Sequence, residues 1–311
     1  MQDILSCVLP IFYLMLLGYF IKLFWLKTPE FWNNLETFSY YLLFPLLLFN
    51  YISTSNLSAI HLVTLVFALG LSTSLVAVGL IAIQKHYDID GPIFTSIFQG
   101  GIRYNSYIFF GLGNSLYGVD GMEIVAFVAA YMIIFTNFLS VLAFTMYCPV
   151  SEMDVSRELS QWEIFTKNFL LNPLIIASIV GLIFNYFDLN IVTSVKNTLQ
   201  SISNSASTIG LICVGAGLKF SFKKINKFAV LLSCAVKLVI MPTVTFIILK
   251  ILSINGLAHS VCMLYSSLPT ATNSYILSKQ LGGDPDTMTS IITMSIMCSV
   301  LSLAIFTYIL A

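Results

Sequence analysis

Two short polar runs interrupt long apolar stretches: Gln99-Gly100-Gly101-Ile102-Arg103-Tyr104-Asn105-Ser106-Tyr107-Ile108 and Leu268-Pro269-Thr270-Ala271-Thr272-Asn273-Ser274-Tyr275-Ile276. Their side chains are amides, hydroxyls and one guanidinium, the groups that hold a solute by hydrogen bonding and charge. Asn105 and Asn273 offer amide donors and acceptors, Thr270 and Thr272 hydroxyls, and Tyr107 a phenol. Arg103 is the costly member, because an arginine near the middle of a membrane span costs about 2.5–3.5 kcal/mol on insertion scales. Two readings stand for it: the guanidinium faces a cavity and holds an anion, or it is satisfied by interior hydrogen bonds to opened backbone carbonyls.

Each run also carries residues that break helices. Gly100 and Gly101 weaken a helix, and Pro269 removes a backbone donor and clashes with the preceding turn, so the chain should open over Pro269 to Asn273. Opened backbone survives in hydrocarbon only where protein or a water-filled cavity supplies partners. Half-helices that present N-terminal ends there favour an anion. The plainer alternative is a kink whose polar residues satisfy one another.

Four further polar residues lie inside apolar stretches. Lys237 precedes Pro242 and either snorkels to the cytoplasmic surface or acts at the site. Asn137 and Asn50 are site candidates or interhelical hydrogen-bonding groups. Glu36 is the acid nearest to the membrane interior, about one turn in. No carboxylate lies deeper, which argues against a sodium or proton site of paired acids. Any proton coupling then falls to Glu36, Lys237 or the solute itself.

Enzymatic signatures are missing. There is no Walker-type loop, GxSxG elbow or HExxH, and His61, His86 and His259 stand singly. The six cysteines form no CxxC pair and no metal pattern, so neither cofactor nor metal is expected. Fourteen basic residues balance fourteen acidic ones, which gives no basic surface for nucleic acid.

The elements that position these residues must be membrane helices. Charged residues make up 9% of 311 and hydrophobic ones 58%, whereas soluble domains carry roughly a quarter charged residues. With about twenty apolar residues per crossing, ten spans are expected: 4–26, 32–51, 60–83, 93–116, 122–147, 164–187, 199–218, 228–252, 260–278 and 287–309. The first is read as a span and not a signal peptide, because Asp3 stands where a basic start is expected. In the seventh, serines, Asn204 and Thr208 crowd the first half and Gly210, Gly215 and Gly217 the second, which serves close helix packing or a wet path.

A polar segment, 148–163, divides the chain into halves at 1–147 and 164–311, with five spans in each. Ten lysines and arginines fall on one side of the expected membrane, and only Lys196 and Lys250 on the other. That bias puts the segment and the Lys219 to Lys227 loop in the cytoplasm and both termini outside. An odd number of spans gives the halves opposite orientations, and Asn-Ser-Tyr-Ile recurs in the fourth span of each, so an inverted repeat is expected.

The Gln99 to Asn105 segment, Asn172-Pro173, and the run from Leu268 to Tyr275 continuing through Gln280-Leu281-Gly282-Gly283-Asp284 resemble the auxin efflux carrier family, which includes plant PIN-type exporters and bacterial malate permeases. The resemblance covers essentially the whole chain. It implies a ten-helix, five-plus-five inverted repeat, with helices 1, 2, 6 and 7 as scaffold and the others as a transport domain whose broken helices 4 and 9 cross. It also implies Asn105 and Asn273 at the crossing, Asn137 beside them, homodimers, and organic anions, commonly carboxylates, as solutes. One departure is that Gly100 and Gly101 stand where plant members have proline. The combined expectation is a non-enzymatic secondary transporter of a bacterial inner membrane, working by elevator-type alternating access. A non-transporting receptor and a passive channel are the alternatives.

Overall fold

The computed structural model describes residues 2–54, 59–148, 173–218 and 226–309. Residues 149–163 of the expected segment 148–163, the start of the sixth span through Asn172, and residues 219–225 of the Lys219 to Lys227 loop lie outside them. The described residues are helical with no strand: α1 (Gln2–Phe20), α2 (Pro29–Phe38), α3 (Phe44–Ser53), α4 (Ala59–Tyr87), α5 (Gly91–Ile102), α6 (Ser106–Tyr147), α7 (Pro173–Tyr186), α8 (Thr193–Gly217), α9 (Lys227–Ala235), α10 (Met241–Ile251), α11 (Gly256–Ser267), α12 (Ser274–Gln280) and α13 (Pro285–Ile309). Single π-helical turns, Ile21–Trp25, Ser39–Leu43 and Val236–Ile240, extend α1, join α2 to α3 and join α9 to α10. Within α6 the chain turns at Gly118 (φ 62°, ψ −153°), a conformation open to glycine, so α6 is two helices in succession.

Five stretches among the described residues are long and apolar enough to cross a membrane: Pro29–Ser53, Val63–Tyr87, Gly121–Tyr147, Lys227–Ile251 and Pro285–Leu303. Leu9–Trp25 and Pro173–Tyr186 are shorter apolar helices. Their outer faces carry large apolar side chains, as α4 does with Val63 at 66% and Val78 at 64% exposure. Such faces suit hydrocarbon and not water. The chain is a multi-pass membrane protein.

Two compact units emerge, each drawing on both halves of the sequence. The first contains Met1–Val63, Ser106–Tyr131 and Phe169–Leu218. In it α1 packs on α8 with almost no side chain between the backbones: a Cβ on Gly18 would overlap the Ile212 carbonyl, and one on Gly215 the Met15 carbonyl. Small residues allow that approach, which stands in for hydrophobic association where the solvent is itself apolar. Lys22 caps the end of α8 by donating to the Ala216 carbonyl at 2.7 Å, a cation at the negative end of the helix dipole. Asn50 Nδ2 donates to Gln200 Oε1 at 3.0 Å, joining α3 to α8. Close packing is thus one use of the seventh span, and many of its hydroxyls bond back to their own helix, as Ser203 does to the Leu199 carbonyl at 2.8 Å.

The second unit contains Thr64–Asn105, Met132–Asn168 and Lys219–Ala311. Phe94, Ile97, Phe98 and Ile102 of α5 form its apolar centre with Val76, Leu80, Ala229, Val236 and Met241. Asp284 starts α13 by accepting from the Asp286 and Thr287 N–H groups at 3.0 and 3.1 Å. The same residue holds α5, because Ser96 Oγ donates to its carbonyl at 3.0 Å and its own N–H donates to the Pro92 carbonyl at 3.2 Å. The Gly282-Gly283-Asp284 run therefore sets the start of one broken helix against the end of the other.

The α1–α8 seam gives a stability prediction. Gly215→Val drives a side chain into backbone that cannot swing aside, and thermal unfolding in detergent should show a loss of about 3 kcal/mol or more. Gly217→Ala, which meets nothing within 4 Å, should stay within about 0.5 kcal/mol of the parent.

Candidate functional site

The first break follows α5. Arg103 caps that helix, its N–H donating to the Gln99 carbonyl at 2.9 Å, and then turns the chain into an extended conformation (φ −82°, ψ 151°). Helix resumes at Ser106. Gly100 and Gly101 were expected to be the break, but both lie inside the last turn of α5, and the helix opens one residue beyond Ile102. Their lack of side chains serves contact instead. A Cβ on Gly100 would overlap Ser233 Oγ and lie 2.7 Å from Ile291, and one on Gly101 would lie 2.9 Å from Leu80 and 3.0 Å from Val236.

The second break falls where proline chemistry places it. Leu268, the residue before Pro269, is extended (φ −67°, ψ 149°), α11 ends at Ser267 and α12 begins at Ser274. The two opened segments satisfy each other. Asn105 N–H donates to the Pro269 carbonyl at 2.9 Å, and Thr270 Oγ donates to the Gly100 carbonyl at 2.8 Å. Thr270 N–H is taken up by Ser295 Oγ at 3.2 Å. In hydrocarbon each such group, left alone, costs several kcal/mol, so these bonds are what make the breaks tolerable.

Arg103 binds the assembly together. It is 5% exposed, and its partners include three side-chain amide oxygens: Nη1 donates to Gln99 Oε1 at 2.9 Å, and Nη2 to Asn137 Oδ1 at 2.8 Å and Asn273 Oδ1 at 3.0 Å. Gln99 is turned for this by its own amide, whose Nε2 donates to Ser278 Oγ at 3.1 Å. The guanidinium also stands at the C-terminal end of α5, where the helix dipole is negative. Interior hydrogen bonds to neutral side-chain amides are thus among the interactions that satisfy Arg103.

Lys237 is different. It is fully buried on the π-helical turn Val236–Ile240, so it does not snorkel to the surface. Among the described residues its Nζ has no hydrogen-bond partner, and it lies 5.7 Å from the centre of the Tyr265 ring. Tyr265 in turn meets Tyr104 of the first break edge-on, with ring centres 4.3 Å apart.

The second unit thus gathers Gly100, Gly101, Arg103, Asn105, Asn137, Pro269, Thr270, Thr272, Asn273 and Lys237. Asn105 and Thr270 are buried, while Asn137, Thr272 and Asn273 are half-buried. Tyr107 and Glu36 belong to the other unit. Tyr107 packs edge-on against Phe44 at 4.6 Å, and Glu36 is half-buried on α2. Gln99 and Tyr104 stand in the first polar run without a role of their own in the sequence reading, and Ser278, Ser295 and Tyr265 were not singled out. Only Gln99 had a readable signal, as a residue one helical turn before a buried arginine.

Comparison with known proteins accords with a transport role. One curated relative, an uncharacterized transporter of Methanothermobacter thermautotrophicus, is 29% identical over 145 residues, which cover 46% of this chain and 47% of that protein. The aligned part spans about half the length of the relative. The family described as membrane transport protein matches residues 3–307. The chain therefore belongs to that family, the auxin efflux carrier-like membrane transporters.

Proposed function

We propose that this protein is a secondary transporter that carries a small organic anion, a carboxylate or dicarboxylate, across a bacterial inner membrane by elevator-type alternating access. The carrying observation is that two opened helices touch inside an apolar unit, through Asn105 N–H and the Pro269 carbonyl at 2.9 Å, beside a buried guanidinium and a buried amine. Opened backbone and two cations are costly features that packing alone would not retain. In this reading the architecture is a ten-helix, five-plus-five inverted repeat. Its fourth helix is α5 with the start of α6, its ninth is α11 with α12, and the two breaks cross. Membership in the transporter family and the recurrence of Asn-Ser-Tyr-Ile at both breaks support it.

The solute's carboxylate meets Asn105 and Asn273, each of which stands immediately before the residue at which its helix resumes. Thr270, Thr272 and Asn137 complete the polar lining. Arg103 supplies positive potential without giving up its amide partners, and Lys237 is the cation with hydrogen-bonding capacity to spare. Glu36 and Tyr107, in the other unit, are assigned to the solute's path or to proton coupling. The protein works as a homodimer with both termini outside, and no cofactor takes part.

Asn105→Ala and Asn273→Ala in proteoliposomes should each lower saturable transport of the cognate organic acid about tenfold or more, the worth of a hydrogen bond to a charged group. Undiminished transport in both folded variants would sink the site. Ligand-dependent stabilisation without flux would mean a receptor, and flux that does not saturate a channel.

Lys237→Met separates binding from packing. A buried amine without acceptors gains stability when replaced by an apolar chain of similar volume, so the melting temperature should hold or rise while anion affinity falls. A lower melting temperature with unchanged affinity would make Lys237 structural.

A further inference from the structure

A groove of about 130 Å³ runs between α4 and the second part of α6, within the second unit. Small residues make it: Ala77 on α4 and Ala143 on α6 leave room that longer side chains would take, and Phe98 of α5, 2% exposed, lies at its base. Ser74, on the α4 wall, turns its hydroxyl away by donating to the Gly70 carbonyl at 2.8 Å. The groove opens beside Val78 and Met146, which are 64% and 54% exposed on faces suited to hydrocarbon. Side chains beside a gap forfeit dispersion contacts, and a flexible hydrocarbon chain entering from the bilayer restores them.

The residues above the groove are those that hold a lipid headgroup. Ser74, Val78 and Ile81 share one face of α4, and Lys85 continues that face one turn further on. Lys85 is exposed at the end of the helix. From Ser74 to Lys85 the helix rises about 16 Å, close to the roughly 15 Å of hydrocarbon in one leaflet. A chain hanging from a headgroup at Lys85 therefore runs the length of the groove. Tyr147 lines the same end: a Cβ on Gly91, just past α4, would overlap the Tyr147 carbonyl, and Phe94 meets the Tyr147 ring edge-on at 4.6 Å. Tyrosine rings gather at headgroup level. The local charge is positive. α4 contains no acid, and the second part of α6 has Glu123 alone, at its opposite end. Asp88 and Asp90 come after α4, where the chain turns at Asp88 (φ 45°).

We infer that this groove is a phospholipid site: one acyl chain lies between α4 and α6 against Ala77, Ala143 and Phe98, and the lipid phosphate pairs with Lys85. The lipid then touches α5 at Phe98, the residue before Gln99, whose amide accepts from Arg103. The inference rests on the membrane setting and not on the carrier reading.

The test places the full chain in phosphatidylethanolamine vesicles containing a small share of phosphatidylglycerol with a photoactivatable diazirine on one acyl chain. Cross-links mapped by mass spectrometry should gather at residues 74–81 and 139–147, several-fold above those at the exposed Ile179 and Ile183 of α7. Labelling no denser than on α7 overturns the proposal. A second measurement titrates unmodified phosphatidylglycerol into lipid-depleted protein in detergent, where the melting temperature should rise by several degrees and saturate. Ala143→Leu fills the groove with its own side chain, so without lipid it should melt at or above the parent and gain less than half the parent's rise. Lys85→Gln should need several-fold more phospholipid for its half-maximal rise. An equal rise in Ala143→Leu, or an unchanged midpoint in Lys85→Gln, overturns the proposal. If Ala143→Leu does not fold, the cross-link distribution and the Lys85→Gln midpoint decide.

Discussion

A helix opened inside hydrocarbon must find every hydrogen-bond partner within the protein, and the rest of this structure follows from how that demand is met. Two openings are placed so that each supplies what the other lacks: the Pro269 carbonyl takes the Asn105 N–H, and the Gly100 carbonyl takes the Thr270 hydroxyl. The Arg103 guanidinium then ties both openings to α6 through side-chain amides. Further out, Asp284 and Ser96 hold the start of α5 against the start of α13. An interior built this way is polar where the helices open and apolar elsewhere. The buried amine of Lys237, without an acceptor among the described residues, is the feature that packing alone does not explain.

What could be read from the sequence divides along physical lines. The second break was legible because proline has one effect on a helix, and the chain opens from Leu268 as that effect requires. The first was displaced because glycine has two uses, conformational freedom and lack of bulk, and Gly100 and Gly101 serve the second. Five of the expected spans, 32–51, 60–83, 122–147, 228–252 and 287–309, were legible in existence, and 122–147 is close in extent to Gly121–Tyr147.

The amide partners of Arg103 were not legible, because its interior hydrogen bonds were assigned to opened backbone carbonyls. Two of them lie 34 and 170 residues away, beyond the reach of local pattern. Of the two readings of Lys237, snorkelling does not hold, because the side chain is fully buried. The Val236–Ile240 turn carries an extra residue, and a π-helical turn changes which way the following side chains point, which depth along the span does not register.

The bond between Arg103 and Asn273 also sets a clock. At about 5–20 residues per second, the ribosome needs roughly 10–30 s to make the 170 residues that separate the donor from this acceptor. During that interval Asn137 is already made and Asn273 is not, so the arginine enters the bilayer with only part of its final set of acceptors. Early helices of this chain must therefore be held near the insertion machinery or near water until α11 and α12 arrive, and assembly is paced from the far end of the sequence.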